Sequence, residues 1–143
     1  MPEFQIDLGD MPATFRALDS FTQGYIEAAF WTESGEPDSP CYEKALSDLA
    51  PITLASMIED CVNFQELAQA DLEKAYDYTP SNYDAAHAGH DFWLTRNGHG
   101  AGFWDRGFGD LRTETVGGRL SRDAKSFGGC DLYQGDDGLI YLG

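Results

Sequence analysis

The segments DFWLTRN (residues 91–97) and AGFWDR (residues 101–106) decide the predicted fold class, because each has the composition of a short β-strand. The intervening GHG (residues 98–100) supplies a turn. If Arg96 pairs with Ala101, the residues that face each other across the two strands form favourable pairs. These pairs are Trp93 with Trp104, Leu94 with Phe103, and Asp91 with Arg106. The pattern therefore predicts a β-hairpin.

A second hairpin is predicted at the C-terminus, where CDLYQ and LIYLG flank the turn sequence GDDG. Residues 20–33 have apolar side chains at helical spacing, and Ser20 or Thr22 could cap this helix. Residues 119–127 also favour a short helix. Helices followed by hairpins are typical of an α+β domain. The sequence therefore predicts one domain, residues 1–143, in which two or three N-terminal helices pack on a small antiparallel sheet made of two β-hairpins.

The clearest helical pattern begins at Pro51 and ends near Tyr78. Its apolar stripe includes Cys61, which is expected to be a small core residue. Ala50 has no side-chain oxygen with which to cap the helix, so its start is weaker than it could be. The face opposite the stripe is acidic, with only Lys74 for balance. The acidic residues of this face are Glu59, Asp60, Glu66, Asp71 and Glu73.

The charge of the chain is strongly negative and unevenly distributed. There are 25 acidic and 9 basic residues, which gives a formal net charge of -16. Residues 1–84 contain 17 of the acidic residues but only three basic ones, Arg16, Lys44 and Lys74. A negative field repels nucleic-acid phosphates and attracts basic protein surfaces. Direct nucleic-acid binding is therefore not expected, although the same charge would also serve solubility alone.

Other features of the sequence point to a cytoplasmic protein. The chain contains no run of eighteen apolar residues, the length needed to span a membrane, so no membrane association is predicted. The first residues, MPEFQIDLGDMP, lack the basic and apolar regions of a signal peptide. The three cysteines, Cys41, Cys61 and Cys130, have no CxxC spacing, which argues against a disulfide framework and favours a reducing compartment.

The stretch GHDFWLTRNGHGAGFWDR (residues 89–106) is long enough to be specific. With it, the chain resembles a family of small acidic proteins that are widespread in phages and mobile elements and are mostly uncharacterised. The similarity also covers SFTQGYIEAAFWTE, the segment around DCVNFQELAQ and the C-terminal DLYQGDDGLIY. Members of the family usually have threonine where this chain has Ala50. The resemblance implies a phage-type accessory protein with a shared fold, and it implies no catalytic residues.

Three histidines offer an alternative kind of site. His87, His90 and His99 have the spacing H-x2-H-x8-H, and Cys130 is a conceivable further ligand, but this matches no strong zinc signature, so no metal is predicted. A small enzyme or ligand binder could use a histidine as base, a carboxylate to orient it and an arginine to hold an anion. The residues of this alternative site are His90, Asp91, Arg96, Asn97, His99 and Asp105.

The hypothesis that the sequence favours is a non-enzymatic acidic inhibitor without a cofactor. It would mimic nucleic acid, as in the anti-CRISPR or anti-restriction class, and would bind a basic, nucleic-acid-handling host protein in the host cytoplasm. The expected contact residues are Glu59, Asp60, Glu66, Asp71 and Glu73, with Trp93 and Trp104 as aromatic contacts. A passive structural or host-modulating protein is a third reading, and the sequence leaves the oligomeric state open.

Overall fold

The computed structural model describes residues 16–78, 82–106 and 115–143. Within these ranges the fold is α+β, as predicted, with five α-helices and one two-stranded antiparallel sheet. The helices are α1 (Ser20–Thr32), α2 (Pro51–Leu67), α3 (Gln69–Asp77), α4 (Ala85–Arg96) and α5 (Val116–Lys125). The strands are β1 (Leu132–Gln134) and β2 (Ile140–Leu142), and short 3-10 helices span Leu46–Asp48 and Phe103–Asp105.

The prediction of a hairpin at residues 91–106 is wrong, because DFWLTR forms the second half of helix α4. Every residue from Ala88 to Arg96 is buried, so this helix is covered on all sides. A helix with no exposed face loses the helical alternation of apolar and polar residues, and its short sequence then cannot be distinguished from that of a strand. Asp84 supplies the start signal, since its side chain accepts a hydrogen bond from the His87 amide at 2.9 Å.

Helices α1 and α4 form the centre of the molecule and approach each other closely at two glycines. A Cβ atom at Gly24 would collide with the backbone carbonyl of Ala86, and one at Gly89 would collide with that of Phe21. The absence of both side chains lets the backbones come together, as small residues do wherever helices pack tightly. This contact explains why the stretch GHDFWLTRNGHGAGFWDR begins with a glycine, Gly89.

After α4 the chain turns back over the helix. Gly98 has a φ of 71°, a left-handed conformation that glycine adopts without strain. The amide of Phe103 then donates to the Thr95 hydroxyl at 3.2 Å. A side chain at Gly102 would collide with Thr95, so this return also requires a glycine. Asp91 and Arg106 do meet, as predicted, but across a helix and its returning loop rather than across two strands.

The aromatic core lies between these helices and α2. The Phe64 and Phe92 rings are stacked with centroids 4.2 Å apart, and the Phe103 ring also stacks on Phe64, at 5.6 Å. Tyr25 packs against Phe92 at 5.1 Å. Trp93 meets the edge of Tyr25 and is fully buried, so it is not paired with Trp104 as the hairpin would have required.

The long helix predicted from Pro51 to Tyr78 is divided into α2 and α3 at Ala68, whose ψ of 14° departs from helical geometry. Ala50 makes no side-chain capping bond, as predicted. For α1 the cap is Asp19, not Ser20 or Thr22, and its carboxylate accepts from the Thr22 amide at 2.8 Å. The short helix predicted at residues 119–127 is α5, which begins earlier, after the Thr115 cap.

The C-terminal hairpin is present where the sequence predicts it, with Tyr133 opposite Tyr141. It is attached to the start of α2 by Ile140, whose carbonyl accepts hydrogen bonds from the Ala50 amide at 3.0 Å and the Thr53 hydroxyl at 2.9 Å. The hairpin therefore fixes the N-terminal end of α2. Among the described residues, no helix combines the length and apolar character needed to cross a membrane.

Candidate functional site

The polar residues of the GHDFWLTRN segment are used inside the fold. Asp91 is fully buried and accepts two hydrogen bonds from the Arg106 guanidinium, at 2.7 and 2.9 Å. It also accepts one from the Tyr83 hydroxyl. Burial raises the pKa of Tyr83, and the negative charge of Asp91 raises it further. Tyr83 therefore remains a neutral donor, and the carboxylate is saturated by its two partners.

Arg96 joins three separate parts of the chain. Its guanidinium donates to the Asp60 carboxylate at 2.8 Å and to the Tyr25 hydroxyl at 3.0 Å. It also donates to the backbone carbonyls of Phe127 and Gly128, at 3.0 and 2.8 Å. Burial alone would lower the pKa of Arg96, but the interactions with Tyr25 and Asp60 outweigh burial. The pKa is therefore raised, and the side chain stays charged. An arginine with these partners is a structural cross-link, not an anion holder.

Two further members of the alternative ligand site, His90 and Asn97, are also engaged within the fold. His90 is fully buried, with Nε2 3.3 Å from the Glu27 carboxylate. The Asn97 side chain accepts from the Cys130 amide at 2.8 Å and donates to the Trp93 carbonyl at 3.1 Å. His99 is half-buried, while the side chain of Asp105 lies outside the described part of the protein. The structure therefore brings His90, Asp91, Arg96 and Asn97 together as packing elements of one helix.

The histidines do not converge in the described part of the chain. His87 is paired with Asp84 at the start of α4, whereas His90 faces α1. In residues 16–78, 82–106 and 115–143, no three histidine, cysteine or acidic side chains are grouped so that they could hold a metal ion.

The acidic residues of α2 and α3 divide into two groups with different roles. Asp60 and Asp71 are partly buried and form ion pairs, Asp60 with Arg96 at 2.8 Å and Asp71 with Arg119 at 3.0 Å. Glu59, Glu66 and Glu73 are exposed. No basic side chain of the described residues forms an ion pair with any of these three glutamates. We call Glu59, Glu66 and Glu73 the acidic surface.

Between Glu66 and Glu73 there is an open groove of about 330 Å³ at the junction of α2 and α3. It is lined by Gln65, Glu66, Gln69, Leu72, Glu73 and Tyr76. Gln69 donates to Glu73 at 3.3 Å, which holds one carboxylate at the rim. Burial raises the pKa of Tyr76, and Asp84 and Asp19 raise it further, so the ring stays neutral. Such a groove suits a lysine or arginine, whose apolar stem packs on Leu72 and Tyr76 while its charge meets the carboxylates.

Large apolar side chains are exposed on the same helix. Ile52 is 69% exposed, Leu67 58% and Val62 43%, whereas Met57, Cys61 and Phe64 of the same helix are buried. These three exposed residues were not among the contacts predicted from the sequence. A helical projection at 100° per residue places Ile52 and Val62 on the outer face with Glu59 and Glu66, and Leu67 at the border of that face. Of the two predicted aromatic contacts, Trp104 is 54% exposed, whereas Trp93 has no exposed surface.

Comparisons of the chain with protein-family models, with curated proteins and with solved structures found no match.

Proposed function

We propose that this is a non-enzymatic, phage-type accessory protein that inhibits a basic, nucleic-acid-handling host protein by binding its cationic surface. One observation carries the proposal: Glu59, Glu66 and Glu73 are exposed and have no basic partner among the described residues. Three carboxylates that serve the fold would be expected to have partners, as Asp60 and Asp71 do. The acidic surface is therefore available to a cation supplied from outside the molecule.

The surroundings of the acidic surface support the same function. The protein has a formal net charge of -16, so its long-range field steers basic partners toward it and phosphates away. Within the alternative ligand site, Asp91, Arg96 and Asn97 are engaged in structural bonds, which makes these three residues poor candidates for binding a substrate. The groove between Glu66 and Glu73 gives the surface a place for a basic side chain.

The proposal is tested by capture from a bacterial lysate with the tagged protein, followed by elution with duplex DNA at constant ionic strength. Proteins that the acidic surface binds through their nucleic-acid-binding sites should be released by DNA, because the two ligands compete. The variant E59K/E66K/E73K should capture none of them. Capture by the wild-type protein should also decline steeply between about 50 and about 500 mM salt, since exposed charges are screened.

A matched control separates a defined surface from bulk charge. The variant E36K/D38K/E43K reverses three exposed acidic residues of the loop after α1 and changes the net charge by the same amount. It should capture the same proteins as the wild type. If both variants lose capture equally, or if DNA releases nothing, the proposed function is wrong.

A further inference from the structure

Exposed apolar side chains lie on the same helix as Glu59 and Glu66, and they indicate what kind of partner the acidic surface meets. Ile52, Val62 and Leu67 are large, exposed side chains of α2. A surface that only imitates phosphates has no need of them, since phosphates offer no apolar area. Val62 and Leu67 lie on either side of Glu66, so a protein partner that covers Glu66 can bury both of them.

The spacing along α2 specifies the partner further. Ile52, Glu59 and Glu66 are seven residues apart, which places them in one row with steps of about 10.5 Å along the helix. Val62 and Leu67 flank this row on opposite sides. A coiled coil has an apolar central seam and charged flanks, whereas this row carries charge at its centre and apolar side chains at its flanks. Its cationic complement is a helix with lysine or arginine residues seven positions apart and apolar residues beside them.

We propose that α2 docks a basic amphipathic helix of the partner protein, with Glu59 and Glu66 pairing its cations and with Val62 and Leu67 packing on its apolar side chains. This inference rests on the proposed function and specifies the partner. A second copy of this chain is disfavoured by charge, because it would bring further carboxylates against Glu59 and Glu66. The N-terminal residues 1–15 are disfavoured on the same ground, since they contain Glu3, Asp7 and Asp10 and no basic residue.

The test uses a synthetic, fluorescently labelled peptide of about 20 residues, long enough to form a helix. It carries lysines seven positions apart, flanked by leucines in an alanine and glutamine background. A second peptide replaces each leucine by glutamine. Fluorescence anisotropy gives Kd for both at about 50 and about 500 mM NaCl.

The two interactions should separate by their salt dependence. E59K/E66K should weaken binding of the leucine peptide by at least about tenfold at low salt and by less at high salt. V62S/L67S should weaken it by about tenfold at both salt concentrations, because apolar contacts are not screened. The charge-matched control E36K/D38K should bind within about twofold of the wild type at both salts. The wild type should bind the glutamine peptide no better than V62S/L67S binds the leucine peptide.

The inference is overturned if the leucine peptide does not bind, if V62S/L67S binds it as tightly as the wild type, or if E36K/D38K weakens binding as much as E59K/E66K. It is also overturned if sedimentation reveals a dimer that V62S/L67S abolishes, because the surface would then be occupied by a second copy. Circular dichroism of each variant establishes that it is folded. DNA-displaceable capture that still depends on the acidic surface would leave the proposed function standing after any of these results.

Discussion

Arg96 connects three distant parts of the chain, since its guanidinium binds α1, α2 and the segment before β1. It also lies over the Phe92 and Phe127 rings, at 5.5 and 5.8 Å from their centroids. The planar fork of arginine is what allows one side chain to satisfy four acceptors in different directions.

We therefore expect Arg96→Lys to lower the free energy of unfolding by about 3 kcal/mol, although it keeps the charge, because an ammonium group cannot reach all of these partners. Asp60→Asn, which removes one partly exposed acceptor charge, should cost only about 1 kcal/mol. Urea denaturation followed by circular dichroism measures both. An Arg96→Lys protein as stable as the wild type would contradict the assigned role.

The carboxylates of two helix caps, Asp19 and Asp84, make the stability of the fold depend on pH. Burial acts to raise the pKa values of Asp19 and Asp84, but hydrogen bonds to Thr22 and His87, respectively, outweigh it and lower both pKa values below the ordinary 3.8. A carboxylate with a lowered folded-state pKa contributes its full stability above the unfolded pKa and loses it as the pH falls through the folded pKa.

The double variant D19A/D84A should therefore be less stable than the wild type by about 1 to 2 kcal/mol at neutral pH. The difference should shrink below about pH 4, where the wild-type carboxylates become protonated. Thermal unfolding at several pH values measures the difference, with D38A as the control in an exposed loop. A difference that stays constant down to about pH 2 would mean that the caps do not act as carboxylates.

At the scale of elements, the molecule depends on the close contact of α1 with α4. The contact is set by Gly24 and Gly89, each of which faces the backbone of the other helix. Because the obstructing atoms belong to main chains, they cannot move aside as the end of a side chain could.

We expect Gly24→Ala and Gly89→Ala each to destabilise the protein by about 3 kcal/mol, although alanine is the better helix former. This corresponds to a decrease in Tm of about 10 °C. The control is Gly35→Ala in the loop after α1, where an added Cβ meets nothing within 4 Å, and its Tm should be nearly unchanged. Equal Tm values for all three variants would show that the helices tolerate a wider separation.

Helix α2 serves both the fold and the proposed function. Met57, Cys61 and Phe64 on its inner face belong to the core, whereas Glu59 and Glu66 face outward. Asp60 lies at the boundary and is used by Arg96. The structural and the binding residues are thus interleaved in sequence and separated only by helical periodicity.

For the whole molecule, the dominant property is a formal net charge of -16. Like charges repel one another more in the compact state than in the unfolded chain, so they destabilise the fold, and salt screens this repulsion. We expect Tm to rise by several degrees between about 20 and about 300 mM NaCl. Differential scanning calorimetry measures this rise.

The variants of the binding experiments test the same effect. E59K/E66K/E73K and E36K/D38K/E43K should both have a higher Tm than the wild type at low salt, because each reduces the excess negative charge by six units. Their Tm values should also depend less on salt. A lower Tm for the first variant alone would mean that its glutamates take part in the fold, and this would weaken the proposed function.

Local patterns in the sequence were sufficient for several elements. The first helix, the helical region after Pro51 and the C-terminal hairpin with its GDDG turn were predicted close to where they lie. In each case the signal comes from neighbours within about two turns of helix or one tight turn. The segment at residues 91–106 carried no such signal, because burial on every side removed the periodicity of α4.

The sequence by itself determined the negative charge, the α+β class and the acidic character of the helical region after Pro51. Only the tertiary structure decided which carboxylates are left for a partner. Asp60 is paired with Arg96 and Asp71 with Arg119, and these partners are 36 and 48 residues away in the chain. Such pairs arise from the packing of distant elements, so no local pattern could separate these two aspartates from Glu59, Glu66 and Glu73.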